Sequence, residues 1–157
     1  MVFFLTTLRR RRLRRRPLPA AWEGILRHRL PYLELLSPEE REELAGHLQV
    51  LVAEKNWEGC GGLEMTAEIQ VVVAAQAALL LLNRKTDYFP RLFSILVYPT
   101  RFIAPRVEHL ADGTVQEGRE DVLGESWESG TLVLAWDEVL RGAARPGDGF
   151  NLVIHEF

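Results

Sequence analysis

Cysteine is almost absent from this sequence of 157 residues, because Cys60 is the only one. A single cysteine excludes a disulfide within the chain and is typical of proteins kept in a reducing compartment. Long hydrophobic runs are also missing: the longest, Val71 to Leu82, is interrupted by Gln76 and is shorter than the ~20 apolar residues of a membrane span. With 47% hydrophobic and 26% charged residues, the chain has the composition of one globular domain, and we expect a cytoplasmic protein.

Basic residues are scarce outside the first sixteen positions. Arg9 to Arg12 and Arg14 to Arg16 supply seven of the nineteen Lys and Arg residues, which leaves twelve basic and twenty-two acidic residues elsewhere, a net charge of −10. A nucleic-acid-binding domain spreads its basic residues over a folded face, so we expect no specific nucleic-acid partner. The apolar start, Met1 to Leu5, precedes the arginines, which is the reverse of a secretory signal.

The sequence predicts two regions. Residues 1–19 are predicted to be a basic, disordered arm that ends at Pro17-Leu18-Pro19, and residues 20–157 to be the amino-terminal portion of a single folded domain. The arm is expected to remain solvated, and its strongest interaction would be weak contact with a membrane surface or polyanion through Phe3, Phe4 and the arginines.

Helical patterns dominate the first half of the chain. Ala20 to Leu30 has helical spacing of its apolar residues, and Ser37-Pro38-Glu39-Glu40 is typical of a capped helix start, with the helix running to about Asn56. After a Gly-rich break at Gly59 to Gly62, Thr66 is expected to cap a second helix that is apolar nearly all round and therefore central.

The second half has the pattern of strands. Ser94 to Tyr98 and Thr131 to Trp136 are predicted to be strands buried on both faces, and Asp137 to Arg141 a short helix. The polar stretch between the strands, Glu108 to Ser129, contains Asp112-Gly113, a hairpin-turn signal. Helices followed by strands and a final helix indicate an α+β fold.

The candidate site lies in the last residues, where His155 and Glu156 match the start of H-E-x-x-H. In that motif two histidines on one helix face bind zinc, while the Glu acts as the base toward the attacking water. On spacing alone, the alternative that both are ordinary polar residues stays open. His28, His47, His109 and Cys60 are scattered without ligand spacing and are expected to be structural or exposed.

Flanking residues strengthen the metal interpretation. Gly124-Glu125-Ser126-Trp127, the apolar run Gly130 to Leu140, and Asp148 to Phe157 occur in that order. They resemble the region leading to H-E-F-A-H in the Mlc titration factor A family of bacterial zinc metallopeptidases. The Arg-rich start and Pro19-Ala20-Ala21-Trp22 also resemble the beginning of that family, so the resemblance covers nearly the whole chain.

This resemblance implies a zinc peptidase of the gluzincin type with aminopeptidase-like activity on peptides. It assigns His155 as the first zinc ligand and Glu156 as the general base, and it places the other ligands beyond Phe157. We therefore expect this chain to be the amino-terminal part of an enzyme, with neither tight zinc binding nor activity by itself. Val133 and its neighbours are expected to form a strand near the cleft. The alternative is a non-catalytic module that binds a transcriptional repressor such as Mlc.

Overall fold

The structure is a computed structural model that describes residues 2–100, 103–109, 115–121, 130–144 and Phe157, with backbone alone for the second and third of these segments. Its described elements form an α+β fold, as predicted. In chain order they are α1 (Val2–Arg15), α2 (Ala20–Arg29), a 3₁₀ helix (Pro31–Leu35), α3 (Pro38–Glu54), β1 (Asn56–Gly59), α4 (Ala67–Leu79), β2 (Ser94–Tyr98), β3 (Ile103–His109), β4 (Val115–Asp121), β5 (Thr131–Ala135) and α5 (Trp136–Ala144).

Helix α4 is the centre of the core, as its composition predicted. Every residue from Val71 to Ala78 is buried, and α2, α3 and α5 all pack against this helix. The predicted cap is present, since the Thr66 hydroxyl accepts a hydrogen bond from the Ile69 amide at 3.3 Å. Within the described segments, none of the helices combines the length and the apolar character that crossing a bilayer requires.

Helix α3 begins with the predicted cap. The Glu40 amide donates to the Ser37 hydroxyl at 3.1 Å, and the Ser37 amide donates to the Glu40 carboxylate at 3.1 Å. This reciprocal capping box satisfies two backbone donors that a helix start otherwise leaves unpaired, and the hydrogen bonds from Ser37 lower the pKa of Glu40. The helix ends at Glu54, close to the predicted end at Asn56.

A three-stranded parallel sheet, in the order β1-β2-β5, lies beside the helices. Asn56 pairs with Ser94, and Ser94 with Thr131. Strand β5 is buried on both faces, as predicted, whereas β2 alternates buried and half-buried residues. Strand β1 was not predicted; it is four residues long and ends at Gly59, where a Cβ atom would lie 2.0 Å from the Leu63 carbonyl oxygen.

Strands β3 and β4 form a separate antiparallel pair. Ile103 pairs with Asp121 and His109 with Val115, so the strands meet across the segment that contains Asp112-Gly113. Those two turn residues lie outside the described part of the chain, but the pairing on either side agrees with the predicted hairpin.

The prediction of a disordered arm is wrong for most of its length, because Val2–Arg15 is helix α1 and packs against α3. Leu13 is buried, and the Arg10 guanidinium binds Glu54 at 2.8 Å and Asp87 at 2.7 Å. The helices approach closely at Gly46, where a Cβ atom would lie 3.2 Å from the Arg14 side chain. Carboxylates distant in sequence thus neutralise part of the arginine run and hold it in a helix.

Candidate functional site

The two predicted site residues, His155 and Glu156, lie outside the described residues, and so does Trp127. The residue that follows them, Phe157, is described. Its ring meets the Phe89 ring edge to face, with 5.2 Å between the centroids and 69° between the planes, and it packs partly buried against the core. The chain directly after the His-Glu pair is therefore in contact with the segment that joins α4 to β2.

That joining segment has an unusual backbone. Tyr88 and Phe89 have φ angles of 57° and 54°, in the left-handed region that side chains with a Cβ atom disfavour by about 1 kcal/mol or more each. Tyr88 is nevertheless only 1% exposed, and its amide donates to the Thr86 hydroxyl at 2.9 Å. Such a conformation persists only where surrounding contacts fix it.

The Tyr88 hydroxyl is the centre of those contacts. Arg14 donates to it at 3.0 Å, and it lies 2.7 Å from Nδ1 of the buried His47, whose Nε2 lies 3.3 Å from the Glu43 carboxylate. Since the hydroxyl accepts from Arg14, its own proton points to Nδ1, and Nε2–H then donates to Glu43. This arrangement is satisfied by a neutral imidazole, in agreement with burial lowering the pKa of His47.

Lys55 fixes the backbone around Phe89. Its Nζ atom donates to the carbonyl oxygens of Phe89 at 2.8 Å and of Leu92 at 2.7 Å. Burial lowers the pKa of Lys55 to about 8, so near pH 7 most molecules still have the ammonium form, which suits two carbonyl acceptors. The backbone of Phe89, whose ring contacts Phe157, is therefore fixed by Lys55 and follows directly after the buried Tyr88.

The strand and helix that precede the candidate motif are also fixed. Val133 lies in strand β5, as expected, and this strand is at one edge of the described three-stranded sheet. Its expected position near a cleft stays a prediction, because the candidate motif lies outside the described residues. Helix α5 follows directly: the Asp137 amide donates to the Pro99 carbonyl at 3.3 Å, and Glu138, only 8% exposed, pairs with Arg141 at 3.4 Å.

The described residues contain no group of three or more His, Cys, Asp or Glu side chains placed to hold a metal ion. His47 belongs to the Tyr88 cluster and is structural, as predicted, while His28 is exposed. Cys60 is half-buried, and its burial raises the pKa of the thiol.

Sequence reasoning missed the contribution of Tyr88, Phe89 and Lys55. No local pattern marks them, because each acts through residues distant in sequence: Arg14 and His47 for Tyr88, Phe157 for Phe89, and the carbonyls of the joining segment for Lys55. A weak signal does exist in residues 83–89, after α4. This stretch of polar and aromatic residues has neither a helix nor a strand pattern, although its Tyr88 is buried.

Comparison with known proteins defines the class. Residues 5–157 match the family described as glucose-regulated metallo-peptidase M90. The match covers nearly the whole chain and includes His155 and Glu156, so the chain belongs to this metallopeptidase family, in agreement with the resemblance seen in the sequence.

Individual relatives are similar to this chain over most of its length. The chain is 40% identical over 151 residues to uncharacterized protein slr2042 of Synechocystis, covering 95% of this chain and 54% of the relative. It is 30% identical over 137 residues to Mlc titration factor A of Yersinia pestis and of Yersinia pseudotuberculosis, covering 87% of this chain and 49% of each relative. The chain thus spans about half the length of these curated relatives.

Proposed function

We propose that the protein to which residues 1–157 belong is a zinc-dependent peptidase of aminopeptidase type, with His155 as a zinc ligand and Glu156 as the general base. The observation that supports this most directly is the family match, which extends through both residues. The single cysteine and the composition support a cytoplasmic setting for the reaction.

The chemistry of the donor set fits zinc in part. An imidazole nitrogen is a preferred zinc ligand, and a catalytic site uses three protein ligands with one open position. His155 supplies one, and the described residues contain no group of three or more His, Cys, Asp or Glu side chains placed to hold a metal ion. Because the relatives are about twice as long as the matched region, we propose that residues beyond Phe157 supply the remaining ligands in the whole protein.

The roles of the two residues follow from their chemistry. A bound zinc ion supplies positive charge that makes a water molecule acidic near neutral pH. The Glu156 carboxylate accepts the proton of the water that attacks the peptide carbonyl, and can then deliver it to the leaving amine. His155 must be a neutral imidazole to bind the metal, so binding weakens as pH falls below its pKa.

We further infer that Phe89 is a positioning residue. Its edge-to-face contact with Phe157 holds the residue directly after Glu156, and the hydrogen bond from Lys55 to its carbonyl limits movement of Phe89 itself. Aromatic pairs of this geometry contribute about 0.5–1.5 kcal/mol beyond the area they bury, enough to change the population of a correctly placed carboxylate by several fold.

The decisive experiment compares Glu156→Gln with the unaltered full-length protein after zinc loading. Glu156→Gln is expected to lower kcat for a short peptide by at least about 100-fold while zinc content stays the same, because the amide cannot accept a proton. Glu64→Gln, which changes an exposed carboxylate, is the matched control. Unchanged hydrolysis in Glu156→Gln would exclude this residue as the base.

The positioning role has a separate test. Phe89→Ala is expected to lower kcat several fold with little change in KM and with zinc content retained, since the metal ligands are untouched. Phe93→Ala removes a ring from the same segment that is 63% exposed, and should leave kcat unchanged. Equal effects of the two substitutions would show that the Phe89 contact has no special role.

A repressor-binding function is the second candidate, favoured by the name of the Yersinia relatives, Mlc titration factor A. We propose that the repressor Mlc binds this protein independently of peptide hydrolysis. Co-purification of Mlc with Glu156→Gln as efficiently as with the unaltered protein is the expected result. Loss of the complex in this variant would tie binding to the catalytic site instead.

A further inference from the structure

The first turn of α1 is apolar on all sides and exposed. Val2 and Phe3 are 80% and 82% exposed, and Phe4 and Leu5 are each 62% exposed. Consecutive helical residues point about 100° apart, so these four side chains surround the helix axis instead of forming one face. A folded partner covers one face of a helix and would leave part of this ring in water, whereas the interfacial layer of a bilayer can surround it.

Unpaired arginines follow this apolar turn. Within the described residues, the carboxylate partners of α1 are all bound by Arg10, and Arg14 binds the Tyr88 hydroxyl. The other arginines of the run are exposed and have no carboxylate partner in the described part of the chain: Arg9, Arg11, Arg12, Arg15 and Arg16. They form a concentrated positive surface on a chain whose other residues have a net negative charge.

A groove of about 540 Å³ runs along α1 where it packs on α3. Its apolar lining comes from Leu5, Leu8, Leu13 and Ala53, and its charged lining from Arg9, Arg12 and Arg16. Arg9 and Arg12 are three residues apart in α1 and therefore stand on one side of the helix, while Arg16 follows directly after the helix end and lines the same groove. An apolar surface bordered by guanidinium groups complements a ligand that has both hydrocarbon and phosphate, which is the chemistry of an anionic lipid.

We propose that α1 docks the protein on anionic lipid bilayers, with Phe3 and Phe4 in the interfacial layer and the exposed arginines at the lipid phosphates. At 1.5 Å per residue, Arg9 follows Phe4 by roughly 8 Å along the axis. This matches an apolar tip inserted roughly 5–10 Å into the boundary between headgroups and acyl chains. Because Leu13 and Arg10 already hold α1 against the body, binding does not require the helix to form.

The proposal is independent of catalysis and is tested by vesicle co-sedimentation of the full-length protein. The probes are vesicles of phosphatidylcholine alone and of phosphatidylcholine with 30% phosphatidylglycerol. The unaltered protein is expected to sediment with the anionic vesicles, to remain in solution with the neutral ones, and to be released at high salt. Failure to sediment with anionic vesicles at low salt would overturn the proposal.

Two pairs of variants separate the contributions of the apolar turn and the arginines. Phe3→Ala/Phe4→Ala should weaken binding at least tenfold, and the triple change Arg9→Gln/Arg12→Gln/Arg16→Gln on the order of 100-fold, since each basic residue near an anionic surface contributes about fivefold. The matched controls alter exposed residues elsewhere: Leu35→Ala/Phe93→Ala, and Arg27→Gln/Arg41→Gln/Arg84→Gln.

The result expected is weakening by the α1 variants and unchanged binding by both controls. Equal weakening by the two arginine triples would show that net charge alone attracts the protein, and would contradict a docking surface on α1. Vesicle binding that depends on the α1 arginines but not on Phe3 and Phe4 would contradict insertion, because charge alone would then hold the protein at the anionic surface. The substituted side chains are all exposed, and the buried Leu13 and the paired Arg10 are left unchanged, so the variants should fold.

Discussion

Replacing Arg10 with alanine tests the clearest difference between the sequence prediction and the structure, the folded state of α1. The Arg10 guanidinium donates two hydrogen bonds to the Glu54 carboxylate, at 2.8 and 3.1 Å, and a third to Asp87 at 2.7 Å. It also lies over the Tyr88 ring, 4.9 Å from the centroid. The Arg10 and Glu54 side chains are only 18% and 13% exposed, so water does not screen this pair as it does a surface ion pair.

The expected magnitude follows from these contacts. A hydrogen bond to a charged, partly buried partner contributes about 1.5–3 kcal/mol, whereas the pair with Asp87, which is 67% exposed, adds about 0.2–1 kcal/mol. The contact with the Tyr88 ring adds roughly 0.5–1 kcal/mol. Because these terms share one side chain and are not additive, we expect Arg10→Ala to lower the free energy of unfolding by about 2–4 kcal/mol.

Urea denaturation followed by circular dichroism measures this change, with Arg9→Ala as the control. Arg9 is exposed and has no carboxylate partner among the described residues, so its replacement removes the same charge from the same helix and should change stability by less than about 0.5 kcal/mol. Equal effects of the two substitutions would refute the packing of α1 on α3 and would support the sequence prediction of a disordered arm. A double-mutant cycle with Glu54→Gln should give a coupling energy of about 1–2 kcal/mol.

Three further predictions concern stability. Gly130→Ala should destabilise the fold by about 1–3 kcal/mol, because Gly130 has φ of 74° and a Cβ atom would lie 2.6 Å from the Phe93 ring. The control, Gly24→Ala, adds a methyl group in open space within α2 and should be neutral or stabilise by up to ~1 kcal/mol. Thermal melts distinguish the two variants. Lys55 has its pKa lowered from 10.5 to about 8, so the unfolded state binds more protons between these values, and the stability of the unaltered protein relative to Lys55→Met should rise as pH increases from 8 to 10. The lowered pKa of His47 means that acid protonates the unfolded state first, so the stability of the unaltered protein relative to His47→Gln should fall as pH decreases below about 6.5; a flat difference between pH 7 and 5 would contradict a buried neutral imidazole.

Helices α2 to α5 and strands β2 and β5 could be predicted because their signals are local. Ser37, Pro38 and Glu40 mark the start of α3 within four residues, and the apolar composition of α4 alone indicates a central helix. Strands β2 and β5 have enough consecutive apolar residues to be recognised, and Asp112-Gly113 marks the hairpin between them. In each case the residues that determine the structure are neighbours in sequence.

The elements that were missed depend on distant partners. Seven arginines in the first sixteen residues indicate a solvated chain unless Glu54 and Asp87 are known to lie beside Arg10, and sequence spacing does not reveal this. Strand β1 is short, half polar and followed by glycines, so it becomes a strand only through pairing with β2. The candidate site was found through His155 and Glu156 and through family resemblance, but its contact with the body, Phe89 on Phe157, has no sequence signal.

The parallel arrangement of the sheet has a kinetic consequence. Neither pair of strands is joined by a tight turn: Asn56 meets Ser94 only after α4 has crossed between them, and Ser94 meets Thr131 only across the whole hairpin of β3 and β4. Closing such long loops requires a large loss of chain entropy before any pairing contact compensates for it. The capped helix α3 and the apolar helix α4 can gain structure early, whereas the sheet forms late. On a ribosome, the edge of β2 that pairs with β5 must therefore remain unpaired until Thr131–Ala135 has been synthesised.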